Sequence, residues 1–404
     1  MKHAYLHKTI NTFAKGLANA KSSKMNCLTK DDCILEKKRI IFFIYQMGAG
    51  GAARTLLNIL NNIDRTKFNP VLVTLDYDGN YEQYLDPEIK FIKLKTKRLR
   101  SAIFPLAKVI REQRAHIVFS TIPNYNTIAI LANLFSFSGA KNIVREAAYL
   151  GGTPASNLKL RIYGLLYKLS SKVIALSSGV KENIVNRYKV KSDKVEVIYN
   201  PVDIDSIERD MNDGTIAKNH LPIFAGHEKI IITAGRLVKD KDQETLIRAF
   251  AEVNNRIDAK LIILGEGELE SELKSLAEEL HIADRVYFLG FQQNPYIYFK
   301  QADVFVLSSK REGFGHVLAE ALATGTPVVS TKAQPGAKEV LNDGEYGLMC
   351  EVGDVNALGE KIYETLTWNE EQLNHAIQKG LERAGTFHAK KIVKKYEKVF
   401  QQNY

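Results

Sequence analysis

Short, almost wholly apolar runs recur along this chain, and each is followed by a turn and a stretch with apolar positions three or four apart. Unbroken apolar runs are what strands buried on both faces look like, and the longer spacing is that of helices packed against them. The pattern predicts strands at 40–45, 71–75, 89–94, 116–120, 142–145, 172–176 and 195–198. Helices are expected at 55–63, 103–114 and 127–135. Tyr199-Asn200-Pro201-Val202-Asp203 breaks the rhythm, and the polar stretch 205–226 reads as a linker. The alternation then resumes, with strands at 230–234, 260–264, 286–288, 304–307 and 327–330. Helices at 243–254, 269–280, 295–300 and 316–323 lie between and around them, and 377–404 is helical. Strand–helix alternation of this kind makes a parallel sheet covered on both faces. The fold class is therefore α/β, with two facing Rossmann-like domains and an interdomain cleft. An extension (1–37) leads into a first domain (38–204), the linker (205–226), a second domain (227–384) and a C-terminal helix (385–404). Open sheets of this type hold ligands at the carboxyl ends of their strands, which here line the cleft.

Composition narrows the class. With 404 residues, 45% hydrophobic and 25% charged, the chain has the balance of a globular protein. No apolar run approaches the roughly 18 residues of a membrane span. Cys27, Cys33 and Cys350 offer neither a disulfide framework nor zinc spacing, which fits a reducing cytoplasm, and the N-terminus lacks the apolar core of a secretory signal.

The net charge of +10 is uneven. Lys90, Lys93, Lys95, Lys97, Arg98, Arg100, Lys108, Arg111 and Arg114 crowd one segment, in which Glu112 is the only acid from 91 to 114. Such a segment is either a solvated basic face or a surface for nucleic acid, anionic lipid or phosphorylated substrates. No zinc finger or RRM signature accompanies it, so an anionic membrane surface is preferred and nucleic acid is not expected. Leu6, Ile10, Phe13 and Leu17 recur at helical spacing among lysines, as in a basic amphipathic helix lying on a membrane, although an ordinary extension reads the same way.

Three segments carry candidate chemistry. Gly48-Ala49-Gly50-Gly51-Ala52-Ala53-Arg54 joins the first strand to a helix, so backbone amides there can approach a phosphate. With Asp76 it also matches a degenerate dinucleotide fingerprint, and a plain tight turn would use the same residues. Gly235-Arg236-Leu237 with Lys241 places two cations at a strand end, where they can clamp a diphosphate. Glu312-Gly313-Phe314-Gly315-His316 with Glu320 sets two acids eight residues apart across a Gly-rich turn and a helix. Glu320 is placed to bind a ribose diol or to form a salt bridge, and Glu312 to meet hydroxyls of a sugar.

In this order, together with Gly265-Glu266-Gly267 and Gly290-Phe291, these segments resemble the retaining glycosyltransferases of family 4, which have the GT-B fold. The resemblance runs from about residue 40 to the C-terminus. It implies that Arg236 and Lys241 bind the donor diphosphate and that, with Glu312, they form the catalytic set. It implies donor contacts from Gly50, Gly51, Gly235, Gly265, Gly267, Phe291, Gly313, Phe314, Gly315 and Glu320. It also implies that the C-terminal helix crosses back onto the first domain. No metal and no cofactor are expected, because the nucleotide sugar is a co-substrate and no Asp-x-Asp motif is present.

The loop Ser120-Thr121-Ile122-Pro123-Asn124 lacks the histidine that family members often carry, so a polar, neutral acceptor pocket is expected, with Asn124, Arg145 and Glu146 on its side. Pro335-Gly336-Ala337 departs from the family's sugar loop and leaves the sugar unread. The implied activity is retaining, metal-independent transfer of a hexose or N-acetylhexosamine, most simply from a UDP-sugar. The acceptor would be a cell-surface glycan or lipid-linked oligosaccharide, handled at the cytoplasmic face of the inner membrane. A UDP-sugar epimerase on the same fold would need more acid–base groups than His316. An NAD-dependent oxidoreductase would leave Arg236, Lys241 and both glutamates without a role, and a silent scaffold would have no use for the full set of charged donor motifs.

Overall fold

The computed structural model describes residues 37–48 and 50–403. The amphipathic reading of the extension, Cys27, Cys33 and Ala49 of the first Gly-rich turn lie outside the described residues. From Lys38 onward the chain packs two parallel sheets into one unit. The first contains β1 (Lys38–Phe43), α1 (Gly51–Asn62), β2 (Phe68–Thr74), β3 (Lys90–Lys93) and α2 (Ile103–Glu112). It continues through β4 (Ile117–Thr121), α3 (Pro123–Ser136), β5 (Lys141–Glu146), α4 (Pro154–Tyr167), β6 (Lys172–Ala175), α5 (Ser178–Asn183) and β7 (Val195–Val197). Its strand order is β3-β2-β1-β4-β5-β6-β7.

Helix α6 (Ile204–Asp213) leads to the second sheet, built from β8 (Lys229–Ala234), α7 (Gln243–Asn254), β9 (Ala259–Leu264), α8 (Glu270–Glu279), β10 (Val286–Gly290) and α9 (Tyr296–Lys300). There follow β11 (Val304–Leu307), α10 (His316–Ala323), β12 (Val328–Thr331), α11 (Gly336–Val340), β13 (Leu348–Cys350), α12 (Val355–Leu366), α13 (Glu370–Thr386) and α14 (Ala389–Gln402). The order β10-β9-β8-β11-β12-β13 repeats the first sheet's winding. Alternation within β1 shows why the apolar run forms a central strand. Ile40 and Phe42 enter the core under α1 and α14, while Ile41 and Phe43 enter the core under α2 and α3.

The pattern reading places no element at α5, α11, β13 or α12, and starts the C-terminal helical stretch within α13. Three further stretches differ from it. Part of the predicted linker is helix α6, capped by Asp203 on the Ser206 N–H and anchored by buried Ile207. Helix α4 was not predicted: besides buried Leu160 and Tyr167 it carries exposed Leu158, Ile162 and Leu165, so it has no polar face to reveal a period. The C-terminal stretch is two helices, broken where Phe387 and His388 leave helical geometry. At that break the chain returns to the first domain beside its outward crossing. Val202 N–H donates to the Phe387 carbonyl at 2.9 Å, and Ala389 N–H to the Val202 carbonyl at 2.7 Å. Helix α14 then lies on the first sheet, with the Phe400 ring against Phe42, Phe68 and Phe119.

Candidate active site

In each sheet the strand order reverses between the first and fourth strands, and the motifs leave the sheets there. Gly50 and Gly51 follow β1, Asn124 follows β4, Gly235 to Lys241 follow β8 and Glu312 to Gly315 follow β11. The first turns of α1 and α10 meet across the two domains. Added to Gly51, a Cβ would lie 3.8 Å from His316 Cδ2, and Thr55 Oγ1 is 3.2 Å from His316 Nε2. Neither helix has a side-chain N-cap or an acid in its first turn. Two helix N-termini thus converge with amides uncovered by side chains, which favours an anion between them. Gly315 ends the turn at φ 83°, a conformation that favours glycine. Thr55 donates its hydroxyl proton to the Gly51 carbonyl at 2.7 Å, so it accepts from His316 and fixes the Nε2–H tautomer. Burial, aided by Arg54 and Arg145, holds this imidazole down to about 3, and its Nδ1 lone pair has no partner among the described residues.

On the second-domain wall, Lys241 Nζ pairs with Glu312 Oε1 at 2.5 Å, and Ser309 Oγ donates to the same oxygen at 2.8 Å. Arg236 is exposed beside them and has no ion pair or side-chain hydrogen bond among the described residues. Gly265 and Gly267 act from behind. A Cβ on Gly265 would fall 2.0 Å from the Gly235 carbonyl oxygen, and one on Gly267 2.3 Å from that of Leu237. These glycines therefore let two loops close up and set the height of the Arg236 backbone. Phe291, 45% exposed and held by its N–H to Glu266 Oε1 at 3.3 Å, offers a ring at the rim of the same wall. Gly313 approaches the first domain so closely that a Cβ would meet the Ala147 carbonyl at 2.8 Å, and Phe314 is buried against Tyr199 and Phe387 at the crossing.

Glu320 is met by Tyr296 of its own domain and by Arg54 of the opposite one. Tyr296 donates to Glu320 Oε1 at 3.3 Å, Arg54 Nη1 donates to Tyr296 Oη at 2.9 Å, and Arg54 Nε lies 3.9 Å from the carboxylate. Burial raises the Glu320 carboxyl, against Arg54 and the Tyr296 hydrogen bond. A second carboxylate bridges the domains lower down: Glu339 accepts from the Ser178 and Gly179 amides at 2.8 Å each and from Tyr199 at 3.1 Å. Thr55, Tyr296 and Glu339 have no assigned role in the sequence reading, and Arg54 stands there only as the last residue of the first Gly-rich turn. Arg54 and Thr55 adjoin the Gly50-Gly51 turn, which is the one signal that pointed to them.

The acceptor side needs correcting. Asn124 is exposed at the start of α3 and accepts from Tyr163 at 2.5 Å. Arg145 and Glu146 do not line an open pocket, since both are buried and saturated by internal partners. Arg145 donates to Thr121, Tyr396 and Asn200. Glu146 accepts from Ala147 N–H and from the hydroxyls of Tyr167 and Tyr188 at 3.1 and 3.0 Å. Burial pushes the Glu146 carboxyl from its ordinary 4.5 up to about 7, against those tyrosine hydrogen bonds. The folded chain therefore binds this proton more tightly than the unfolded chain, so the contribution is present below 4.5 and is lost as pH rises to about 7. Thermal midpoints should fall over that window in the wild type, and Glu146→Gln should remove this part of the decline.

Comparison with known proteins decides the family. Residues 221–383 match Glycosyl transferases group 1, and residues 49–206 match Glycosyltransferase Family 4. Over 378 residues the chain is 31% identical to N-acetylgalactosamine-N,N'-diacetylbacillosaminyl-diphospho-undecaprenol 4-alpha-N-acetylgalactosaminyltransferase of Campylobacter jejuni, covering 88% of this chain and 98% of that one. The chain belongs to the family 4 type of group 1 glycosyltransferases. A 32% identity over 256 residues links this glycosyltransferase to N-acetyl-alpha-D-glucosaminyl L-malate synthase of Bacillus anthracis, over 63% of this chain and 65% of that one. Its fold is GT-B: Anabaena Alr3699/HepE, solved with UDP, superposes with a TM-score of 0.76 at 20% identity over 90% of this chain and 100% of that one. Sucrose-phosphate synthase from Thermosynechococcus elongatus gives 0.75 at 18% identity, over 91% of this chain and 99% of that one. The glycosyltransferase is a hexosyltransferase that uses a nucleotide sugar, and no described helix is long and apolar enough to cross a membrane.

Proposed function

We propose that this glycosyltransferase moves a hexose or N-acetylhexosamine from a UDP-sugar to a lipid-linked or cell-surface glycan at the cytoplasmic face of the membrane, with retention at the anomeric carbon and without a metal. The observation that carries this reading is the convergence of Arg236, Lys241 and the first turns of α1 and α10 on one part of the cleft. Negative charge grows on the diphosphate as the glycosidic bond to the donor breaks. Two sets of helix amides, already oriented, and two side-chain cations beside them offset that charge. Phe291 offers a face for the base, Glu320 hydrogen bonds for the ribose, and Glu312 a carboxylate for the sugar hydroxyls. Retention rests on the resemblance to retaining family 4 enzymes. The lipid-linked acceptor rests on likeness to the Campylobacter jejuni enzyme, whose name specifies a diphospho-undecaprenol acceptor.

The test is release of nucleoside diphosphate from a panel of UDP-, GDP- and ADP-sugars, with product anomers assigned by NMR. UDP release from one UDP-sugar at a rate unchanged by EDTA, with an α-linked product from an α-linked donor, is the expected result. Release that needs an added divalent cation, or an inverted product, would refute the metal-free or retaining part respectively.

A further inference from the structure

We propose that the outer face of α2, α3 and α4 is a docking surface for an anionic lipid bilayer. Nine of the fourteen large hydrophobic side chains that the described residues leave exposed lie between Phe104 and Leu169. Leu158, Ile162, Leu165 and Leu169, each 54% to 61% exposed, run along one outward stripe of α4 and the turn that ends it. Phe104 of α2 and Phe135 of α3 touch with ring centroids 5.5 Å apart, and Leu134 and Phe137 stand exposed beside Phe135 in sequence. Helices α2 and α3 pack together, as do α3 and α4, so these side chains belong to one side of the first sheet.

Charge selects the occupant. Residues 89–181 hold sixteen lysines and arginines, of which Arg145 is buried, and two acids, Glu112 and the buried Glu146. Lys159 and Arg161 on α4 and Lys168 just after it are exposed among the outward apolar residues. Exposed apolar side chains rimmed by cations, with almost no exposed acid, match the interface of a bilayer that contains anionic lipid. A neutral protein partner would not need the charge, and nucleic acid would not need the leucines.

The surface also leads to the cleft. Helix α4, about 21 Å long, starts from the 147–153 loop that Gly313 abuts, and its Tyr163 holds acceptor-side Asn124. An acceptor whose lipid tail stays in the bilayer would thus have its polar end presented at the cleft mouth. This role in acceptor delivery rests on the lipid-linked reading above, whereas the docking itself does not.

The full chain is to be sedimented with phosphatidylcholine vesicles, with and without phosphatidylglycerol. The wild type should bind the anionic vesicles, and less so in high salt. The double variant Leu158→Glu/Leu165→Glu should reduce the partition coefficient about tenfold or more, because it removes apolar anchors and adds repelled charge. Leu381→Glu, at an exposed leucine on the second domain, should leave it unchanged. Circular dichroism and UDP binding should be the same in all three proteins, so that a failed fold or a failed donor site is told apart from failed docking. Unchanged vesicle binding by the double variant overturns the proposal, as does absence of binding by the wild type. A wild-type dimer that the double variant dissolves would also overturn it, by making this face a contact between two copies of the chain.

Discussion

Arg236→Ala is expected to lower kcat by about 10²–10³ while the protein stays folded, the size of effect seen when one preorganised donor to a developing negative charge is removed. Arg236 leaves the end of β8 at the point where the sheet order reverses, is exposed, and has no ionic partner among the described residues to release before it can serve a phosphate. Lys241 differs. Its ammonium is already on Glu312, so Lys241→Ala removes a cation and also leaves a carboxylate bare beside the phosphates. Its loss should equal or exceed that of Arg236→Ala, and adding Glu312→Ala should cost less than the two single effects combined, because the pair acts together. Arg236→Lys should recover part of the rate, since it restores the charge but not the two-pronged geometry. Steady-state kinetics with a saturating donor reads all five variants, Glu312→Ala alone included. A kcat for Arg236→Ala within about threefold of wild type would mean that the leaving group is stabilised elsewhere.

Phe400→Ala is expected to destabilise the chain by about 3–5 kcal/mol, the usual range for emptying a fully buried aromatic site. Phe400 has no exposed surface, and its ring meets Phe42 at 5.9 Å, Phe68 at 6.0 Å and Phe119 at 5.7 Å. These rings belong to three neighbouring strands, β1, β2 and β4, which are held centrally in the first sheet. The void cannot close without moving the sheet, so most of the loss should be retained. Urea unfolding followed by tryptophan-independent far-UV signal measures it, and a loss below about 1 kcal/mol would mean that α14 is a loosely held tail. The functional consequence follows from the crossing at Val202 and Ala389: α14 fixes the return strand that accompanies the outward one, so weakening it loosens the hinge as well as the core.

Much of this molecule is legible locally. Strands buried on both faces must be apolar throughout, and the helices covering them must be apolar on one side. The period along the chain therefore located β11, α7 and α10 at their observed bounds and most other elements to within a few residues. The donor motifs are equally local, because a phosphate site made from a strand end and the next helix needs only a few consecutive residues. Helix α4 failed that reading because its outward face is also apolar, and α6 because its polar composition is that of a linker.

The partners of Glu320 were out of reach for a different reason. Arg54 lies on another domain and Tyr296 on a short helix, so no spacing connects them. Arg145 and Glu146 show the same limit in reverse. A charged pair at a strand end reads as a cleft residue until Tyr396 from the C-terminal helix, with Asn200, Tyr167 and Tyr188, buries and satisfies it. By itself, then, the sequence determined two doubly wound sheets and the segments that bear donor chemistry, since period and turn composition are properties of neighbours in the chain. Only the tertiary structure decided which charges remain available and which are closed off by the other domain, since desolvation and pairing depend on groups that the chain brings together from far apart.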